Sequence, residues 1–352
     1  MKIRNRLIAV LTAAALCIPA AGCSADKSWA LKGSDNASVP IGAYIYNLYS
    51  AYSQASSRVT DSSKDVLTQK IDNKDAKTWI REKALTGTKQ ILLVDKKMKA
   101  MGLTYSDASK KAADQMNSSV WSQYSSSFEK YGIAKSSFEL SYGTTLQKEH
   151  LLFDAIYGAK GTKAVSDADL KSYYLKDYSD FTYMAMPLYK TDSSGNYSAA
   201  FTDAEKKTAK AVFDSYASQI KAGTMTMQQA GDAYKAKQKS TDTLLHSESL
   251  DLTTDTNYPT EMKTALKAMK AGEVKAVEVP TAQMYVLIVK DDSTKSIETK
   301  LASSTDRENL LLSYKSAEFS SDLEKEADAL KDVSVNDSAL NSYDPKMFTP
   351  AS

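Results

Sequence analysis

The fold is decided by residues 266–292, LKAMKAGEVKAVEVPTAQMYVLIVKDD. An amphipathic helix end is followed by Gly272, and two apolar runs then flank a turn that begins at Pro280. A glycine after the last periodic residue commonly ends a helix. Two short runs rich in β-branched residues, joined by a turn, are typical of a β-hairpin. The stretch therefore predicts a helix followed by two antiparallel strands, over residues 274–279 and 284–289.

The residues before this hairpin complete a small α+β domain. Residues 181–189, FTYMAMPLY, are aromatic and apolar and predict a strand. Thr202 with Glu205 three residues later forms a capping-box pattern, which predicts a helix that ends at Gly223. Two further helices are predicted over 226–236 and 259–270, with a polar stretch over 237–258. One strand, several helices and a closing hairpin indicate a compact α+β unit.

Helical spacing dominates on both sides of this domain. Apolar residues three or four apart predict helices over 40–55, 75–101, 106–128, 136–157, from 166 onward, and over 294–330. Trp29 to Leu31 and Val333 to Val335 are candidates for short strands near the two ends of the chain. We therefore expect a mainly helical α+β fold in which the N- and C-terminal helices pack against each other around an inserted domain.

The first 22 residues predict a signal peptide. Lys2, Arg4 and Arg6 precede an apolar run over residues 7–18, and Pro19 follows it. A membrane-spanning helix needs about 20 apolar residues, so this run is too short to cross a bilayer. A basic segment, a short apolar run and small residues are the pattern of a secretory leader.

The end of this leader resembles a bacterial lipobox. It reads Ala20-Ala21-Gly22-Cys23, although leucine is commonest where Ala20 stands. The resemblance implies cleavage before Cys23, lipidation of its thiol and an anchored location on the extracytoplasmic face of the cell membrane. The other cysteine, Cys17, lies in the leader, so the mature chain has a single cysteine and no intrachain disulfide. The alternative is an ordinary signal peptide followed by an unrelated cysteine.

Three stretches resemble the extracytoplasmic foldases of the PrsA and SurA type, namely residues 78–109, 165–178 and 266–292. The division that this resemblance implies is a signal peptide (1–22), a lipidated tether (23–38), an N-terminal helical segment (39–178), a parvulin-like domain (179–292), a C-terminal helical segment (293–345) and a tail (346–352). The two helical segments would form a SurA-like chaperone module that binds unfolded, newly translocated polypeptides. A parvulin domain implies prolyl isomerisation without a cofactor.

Two positions depart from the pattern of active parvulins. These enzymes place a histidine in the first strand, where the matching stretch of this chain is Tyr183-Met184-Ala185-Met186, and another in the last strand, where Val286 stands. Prolyl isomerisation breaks no covalent bond, and an apolar pocket that binds the twisted amide best can lower its barrier of about 18–20 kcal/mol. The departures therefore favour weak or lost activity, and no catalytic residue is assigned. The candidate prolyl or client pocket comprises Met184, Met186, Met262, Leu266 and Tyr285. In the alternative interpretation, Met262 and Leu266 are simply helix core.

The remaining sequence gives little support to other kinds of chemistry. Removal of the leader takes the formal charge from +2 to −1, which excludes a global basic field for nucleic acid. The two histidines, His150 and His246, lie 96 positions apart, and no Cys/His spacing indicates a metal site. The 21 tyrosines have two interpretations, as contact area for varied polypeptides or as filling between helices.

We therefore expect a membrane-anchored chaperone or foldase whose partners are unfolded exported polypeptides. The first alternative is an active parvulin-type peptidyl-prolyl isomerase. The second is a solute-binding lipoprotein of a transporter, a fold that needs repeated alternation of strands and helices in two lobes. Whether the helical segments form a homodimer stays open.

Overall fold

The structure is a computed structural model that describes residues 28–192, 194, 196–238 and 244–349. The predicted signal peptide and Cys23 lie outside the described residues. In chain order, the described helices are α1 (Ile41–Arg58), α2 (Ala76–Ala100), α3 (Asp107–Lys130), α4 (Lys135–Glu139), α5 (Thr145–Tyr157), α6 (Asp167–Asp177), α7 (Asp203–Lys221), α8 (Met227–Gln238), α9 (Thr260–Ala268), α10 (Ser293–Ala302), α11 (Ser304–Asp328) and α12 (Asp337–Asn341). The mainly helical α+β class expected from the sequence is confirmed.

Eleven short strands accompany these helices in the described part of the chain. They are β1 (Trp29–Gly33), β2 (Ser38–Pro40), β3 (Lys70–Ile71), β4 (Lys74–Asp75), β5 (Tyr178–Pro187), β6 (Tyr189–Thr191), β7 (Tyr197–Ala200), β8 (His246–Asp251), β9 (Val274–Val279), β10 (Met284–Lys290) and β11 (Val333–Val335). None of the described helices combines the length and the hydropathy that a bilayer-spanning segment requires.

The chain divides into two compact units. Unit 1 consists of the described parts of Met1–Val165 and Lys315–Ser352, and unit 2 is Ser166–Tyr314. Unit 2 therefore includes α6 and α10. The sequence predicted that these two helices belong to the N- and C-terminal helical segments. The second boundary falls inside α11, between Tyr314 and Lys315.

The helices of unit 1 begin where the sequence supplies hydrogen-bond acceptors for their first N–H groups. The Asp75 side chain accepts from the N–H of Thr78 at the start of α2, and Ser106 accepts from Ser109 at the start of α3. Such caps satisfy backbone groups that have no partner within the helix. After α2, Gly102 adopts a φ of +65°, a left-handed conformation that glycine adopts without steric cost.

Two helices that the sequence predicted as continuous are interrupted. The predicted helix over 136–157 contains a π-helical turn, Leu140–Thr144, between α4 and α5. The predicted helix over 294–330 is divided at Ser303, whose backbone is extended. Apolar spacing alone does not detect such breaks, because apolar residues continue on both sides of each one.

The N- and C-terminal segments of the chain meet in unit 1. Its three-stranded sheet has the order β11-β1-β2, and Leu31 of β1 lies opposite Val335 of β11. Leu340 and Phe348, from the end of the chain, lie in the same apolar core as α1 and α2. The candidate strands at the two ends of the chain are thus both present, and they pair with each other.

Unit 2 contains a four-stranded antiparallel sheet with the order β8-β5-β10-β9. Residues of α7 and α8 pack on one face of this sheet, and residues of α9 pack on the other. The predicted strands β5, β9 and β10 are present. Strand β8 lies within the stretch predicted to be polar loop, where Leu250 is its one buried residue. The short β6–β7 hairpin was also not predicted.

Candidate functional site

The structure divides the five predicted pocket residues between the two faces of the unit 2 sheet. Met184, Met186 and Tyr285 lie on the face covered by α7 and α8. Met262 and Leu266 belong to α9, on the opposite face. Each of the five side chains is at most 9% exposed. They are therefore core residues of two separate clusters, and no shared pocket brings them together.

The strand residues that share a core with Met262 are the sequence neighbours of Met184, Met186 and Tyr285. Tyr183 and Ala185 of β5 lie on the α9 face, as do Met284 and Val286 of β10. Successive side chains in a strand point to opposite faces, so a displacement of one residue exchanges the faces completely. Residues 181–189 are apolar at successive positions. Their pattern therefore could not indicate which alternate residues of the strand face α9.

One end of the α9 face is half open and aromatic. Tyr183 lies beside His246 of β8, with ring centroids 5.3 Å apart, and Tyr258 stands edge-on to Tyr183 at 6.3 Å. Tyr183 and Tyr258 are half-buried, whereas His246 is exposed. The pKa of Tyr258 is raised by burial and by its hydrogen bond to Tyr183. The Tyr258 hydroxyl is therefore neutral at physiological pH, and this end of the face offers stacking and neutral hydrogen bonds.

A second polar cluster in unit 2 is centred on the buried carboxylate of Asp180. The Tyr174 hydroxyl donates to Asp180 Oδ1 at 2.5 Å, and the Ser249 hydroxyl donates to the same oxygen. Burial, with the hydrogen bond to Asp180, raises the pKa of Tyr174. Asp180 is only 4% exposed. Because the carboxylate is buried, these hydrogen bonds connect α6 to β5 and β8 and stabilise the fold, and the carboxylate is not accessible to a ligand.

Unit 1 carries an aromatic surface, which we define as the half-buried rings of Tyr49, Trp121, Tyr124, Tyr131 and Tyr142. These rings rest on three buried phenylalanines. Tyr49 packs edge-on to Phe128 at 5.7 Å, Tyr131 packs on Phe348 at 4.8 Å, and Tyr142 stacks on Phe138 at 5.3 Å.

The aromatic surface is held in place from below by packed phenylalanines. Phe128 and Phe138 stack on each other at 5.1 Å. Burial raises the pKa values of Tyr49 and Tyr131, so both hydroxyls remain neutral. Helical spacing predicts helices that contain several of these rings, but one sequence does not show that residues from α1, α3 and the end of the chain converge. No group of three metal-ligating side chains occurs among the described residues.

Comparison with known proteins gives matches only among solved structures. No family model and no curated protein matches the chain. The chain is similar to the foldase protein PrsA from Lactococcus lactis, with 16% identity, a TM-score of 0.39, and coverage of 90% of this chain and 97% of that one. It is also similar to the foldase protein PrsA from Streptococcus pneumoniae, with 15% identity, a TM-score of 0.38, and coverage of 76% and 94%. Both TM-scores are low.

Proposed function

We propose that the protein is a membrane-anchored extracytoplasmic chaperone or foldase that binds unfolded exported polypeptides, and that its isomerase activity is weak or lost. The observation that carries this proposal is the aromatic surface of unit 1. It presents five half-buried aromatic rings that pack on buried phenylalanines.

Such a surface suits partners of varied sequence. Tyrosine and tryptophan supply large contact areas and lose little conformational entropy, because only two side-chain torsions must be fixed. Here the packing against Phe128, Phe138 and Phe348 already limits the movement of the rings. A client would therefore gain contact area with apolar side chains at little additional ordering cost. Apolar contact is non-directional, so no particular client sequence is required.

The sheet of unit 2 supports weak or lost isomerase activity. A prolyl isomerase needs a slot that binds the twisted amide better than the planar one. Met262, the residue expected to line such a slot, is 2% exposed and packs in the core with Leu266. The stretch Tyr183-Met184-Ala185-Met186, and Val286, stand where the resemblance implies histidines. All pairings of the described strands are antiparallel, which also disfavours the solute-binding alternative, since alternating strands and helices build parallel sheets.

The decisive experiment is suppression of client aggregation by the chain that begins at Cys23. A reduced, denaturant-unfolded lysozyme is diluted with and without the protein, and light scattering is followed. We expect suppression by the wild-type protein and its loss in the double variant Tyr124→Ser/Tyr131→Ser. The control is Tyr197→Ser, which removes a tyrosine that is 58% exposed in unit 2. Circular dichroism establishes that each variant is folded. No suppression by the wild-type chain at stoichiometric excess would remove the proposal.

Two further measurements address the isomerase activity and the anchor. A proline-containing tetrapeptide assay distinguishes the alternatives: a rate equal to the uncatalysed one agrees with lost activity, and a higher rate that Met262→Ala abolishes supports the isomerase. Mass spectrometry of the processed protein tests the anchor. We expect acyl chains on Cys23, and an unmodified thiol would contradict the membrane attachment.

A further inference from the structure

We propose that the outer face of the β11-β1-β2 sheet, led by Trp29, lies against the headgroup region of the lipid membrane in which the chain is anchored. This inference rests on the proposed function, because it takes the anchor at Cys23 as given. It deepens that proposal by naming the surface of unit 1 that meets the lipid. It uses neither the aromatic surface of unit 1 nor any residue of unit 2.

A β-bulge in β1 turns Trp29 away from the apolar core of unit 1. Trp29 lies opposite Pro40 of β2 and Leu31 lies opposite Val39, so two steps along β1 correspond to one step along β2. Without this bulge, residues two apart would share a face, and Trp29 would point into the core beside Leu31. Ala30 and Leu31 are both buried in that core, whereas Trp29 is half-buried and lies outside it.

Lys32 lies on the same outer face as Trp29. Its ammonium nitrogen is 4.7 Å from the centroid of the Trp29 ring. Lys32 is exposed, and its partners across the sheet are Ser38 of β2 and Ser334 of β11, which are exposed as well. Residues directly opposite each other on neighbouring strands share a face. The outer face therefore presents an indole ring, an ammonium group beside it and two hydroxyl groups.

The chain between the proposed anchor and this sheet is short. Only residues 24–27 separate Cys23 from Ser28. Even when fully extended, the six steps from Cys23 to Trp29 span at most about 20–22 Å. A compact unit of the size of unit 1 has a diameter of about 40 Å. The tether therefore cannot reach around unit 1, and the end of the sheet that carries Trp29 stays on the side that faces the bilayer.

The chemistry of the outer face suits the boundary between lipid and water. An indole ring has an apolar body and one polar N–H, and tryptophan is enriched where membranes meet water. A lysine beside it can lay its apolar stem along the ring and keep its ammonium group hydrated. The charges of residues 24–40 balance, since Asp26 and Asp35 accompany Lys27 and Lys32. The contact therefore depends on the ring and the tether, and it does not require anionic lipid.

The contact orients unit 1 and does not attach it. Even one myristoyl chain binds a membrane only reversibly, and a single indole ring buries less apolar surface than that. The anchor changes this balance because it makes the contact intramolecular, at a high effective concentration set by the short tether. Trp29 then determines which face of unit 1 is turned toward the lipid and which faces remain open to clients.

The test couples the single thiol of the mature chain, Cys23, to a maleimide-bearing lipid in phosphatidylcholine vesicles. Lipids with bromine atoms near the headgroup end of their acyl chains quench tryptophan that lies at this depth. We expect the wild-type chain to be quenched, and the quenching to fall at least about threefold in Trp29→Phe. The matched control is Trp121→Phe, which removes another half-buried tryptophan and should leave the quenching in place. Circular dichroism establishes that both variants are folded.

A second variant leaves every residue of the fold unchanged and lengthens the tether. It carries about 20 Gly and Ser residues between Lys27 and Ser28, which gives the tether an r.m.s. length of about 25–30 Å. We expect the quenching to fall at least about twofold, because the effective concentration of the ring at the surface drops as the tether lengthens.

Two kinds of result would overturn the inference. Quenching that survives Trp29→Phe, or that Trp121→Phe abolishes, would show that another surface of the protein faces the lipid. Quenching that the longer tether leaves unchanged, or that appears only when anionic lipid is added, would show that the short tether and the Trp29 ring do not produce the contact.

Mass spectrometry and the aggregation assay separate this inference from the proposed function. If the processed protein carries acyl chains on Cys23 but the coupled chain is not quenched, the inference fails and the anchor stands. If the processed protein has an unmodified thiol, the membrane attachment fails whatever the vesicles show. Suppression of aggregation by the uncoupled chain tests client binding independently of both.

Discussion

Gly143 determines how closely the π-helical turn approaches α3. Its N–H donates to Oδ1 of Asn117, a residue that is 1% exposed, at 2.9 Å. A Cβ atom at this position would lie 2.7 Å from the carbonyl oxygen of Ala113, and it would also overlap the Asn117 side chain. The contact involves backbone as well as side chain, so movement of one flexible group cannot relieve it.

We therefore expect Gly143→Ala to destabilise unit 1 by about 1–3 kcal/mol, as overpacking of a close contact does. The measurement is the free energy of unfolding in denaturant. The matched control is Gly231→Ala in α8, where a Cβ would meet Leu245 at an ordinary 3.6 Å. Alanine is the better helix former, so this control should be neutral or stabilising by up to about 1 kcal/mol. Equal effects of the two substitutions would contradict the role of the close approach.

Glu149 is a carboxylic acid of α5 in an apolar setting. Its Oε1 accepts a hydrogen bond from Nε2 of Gln90 on α2, at 2.6 Å. Burial raises the pKa of Glu149, and the hydrogen bond from Gln90 offsets this only in part. The folded protein therefore holds the proton more tightly than the unfolded chain. Ionisation of Glu149 lowers the free energy of unfolding as the pH rises above the ordinary glutamate value of 4.5.

Glu149→Gln should accordingly raise the stability at about pH 7 and leave it nearly unchanged at about pH 4, where the wild-type side chain is already protonated. The amide retains an oxygen that accepts from Gln90. Thermal unfolding across this pH range checks the expectation, with the exposed Glu129→Gln as the control. A gain in stability that is independent of pH, or a loss of stability at neutral pH, would contradict the expectation. Burial of the Glu149 charge would then not be what destabilises the folded protein at neutral pH.

Among the helices and strands, α7 shows how local hydrogen bonds set the start of a helix. Thr202 Oγ1 accepts from the N–H of Glu205, and the Glu205 carboxylate accepts from the N–H of Thr202 at 2.8 Å. The ion pair with Lys190 and these capping bonds lower the pKa of Glu205 to about 2. The contribution of this carboxylate is therefore complete above its ordinary pKa of 4.5 and is lost as the pH falls toward about 2.

Thr202→Ala should destabilise unit 2 by about 1 kcal/mol, because the first turn of α7 loses its cap. Thr208→Ala is the matched control on the same helix, since the Thr208 hydroxyl only bonds back to the carbonyl of Ala204. That substitution should be neutral or slightly stabilising. The two free energies of unfolding, measured in urea at neutral pH, decide the point. If Thr208→Ala is as destabilising as Thr202→Ala, the loss of stability comes from lost side-chain packing and not from the lost cap.

The sequence predicted those elements whose signals are local. The capping pattern at Thr202 and the glycine after α2 fixed helix ends because the groups that satisfy them lie within a few residues. Strand β8 was missed because its pairing with β5 depends on residues far away, and only Leu250 of this strand is buried. For the same reason, the sequence could not show that Met184 and Tyr285 lie on the sheet face opposite α9. The face of a strand depends on register, which two-sided apolar strands do not encode.

At the scale of the whole molecule, unit 1 is assembled from two distant parts of the chain. Phe319 of α11 packs edge-on to Phe153 of α5 at 5.5 Å. Strand β11 pairs with β1, and Phe348 lies in the core beside Tyr49 and Tyr131. The insertion of a domain between two helical segments indicated that the terminal segments would pack together. It could not identify the pairs, because contacts more than 150 residues apart leave no periodic signal in one sequence.

This assembly predicts different behaviour for fragments of the two units. Residues 28–165 without 315–352 lose strand β11, one of the two partners of β1, and the rings of Phe319 and Phe348. Each lost aromatic core residue costs about 3–5 kcal/mol, and total stability is about 5–15 kcal/mol, so the fragment should not fold cooperatively. Residues 166–314 retain their whole sheet and should fold alone. Thermal unfolding followed by circular dichroism checks both fragments, and addition of the 315–352 peptide should restore a transition to the first. A cooperative transition of residues 28–165 alone would show that the C-terminal segment only covers a core that the N-terminal helices already complete.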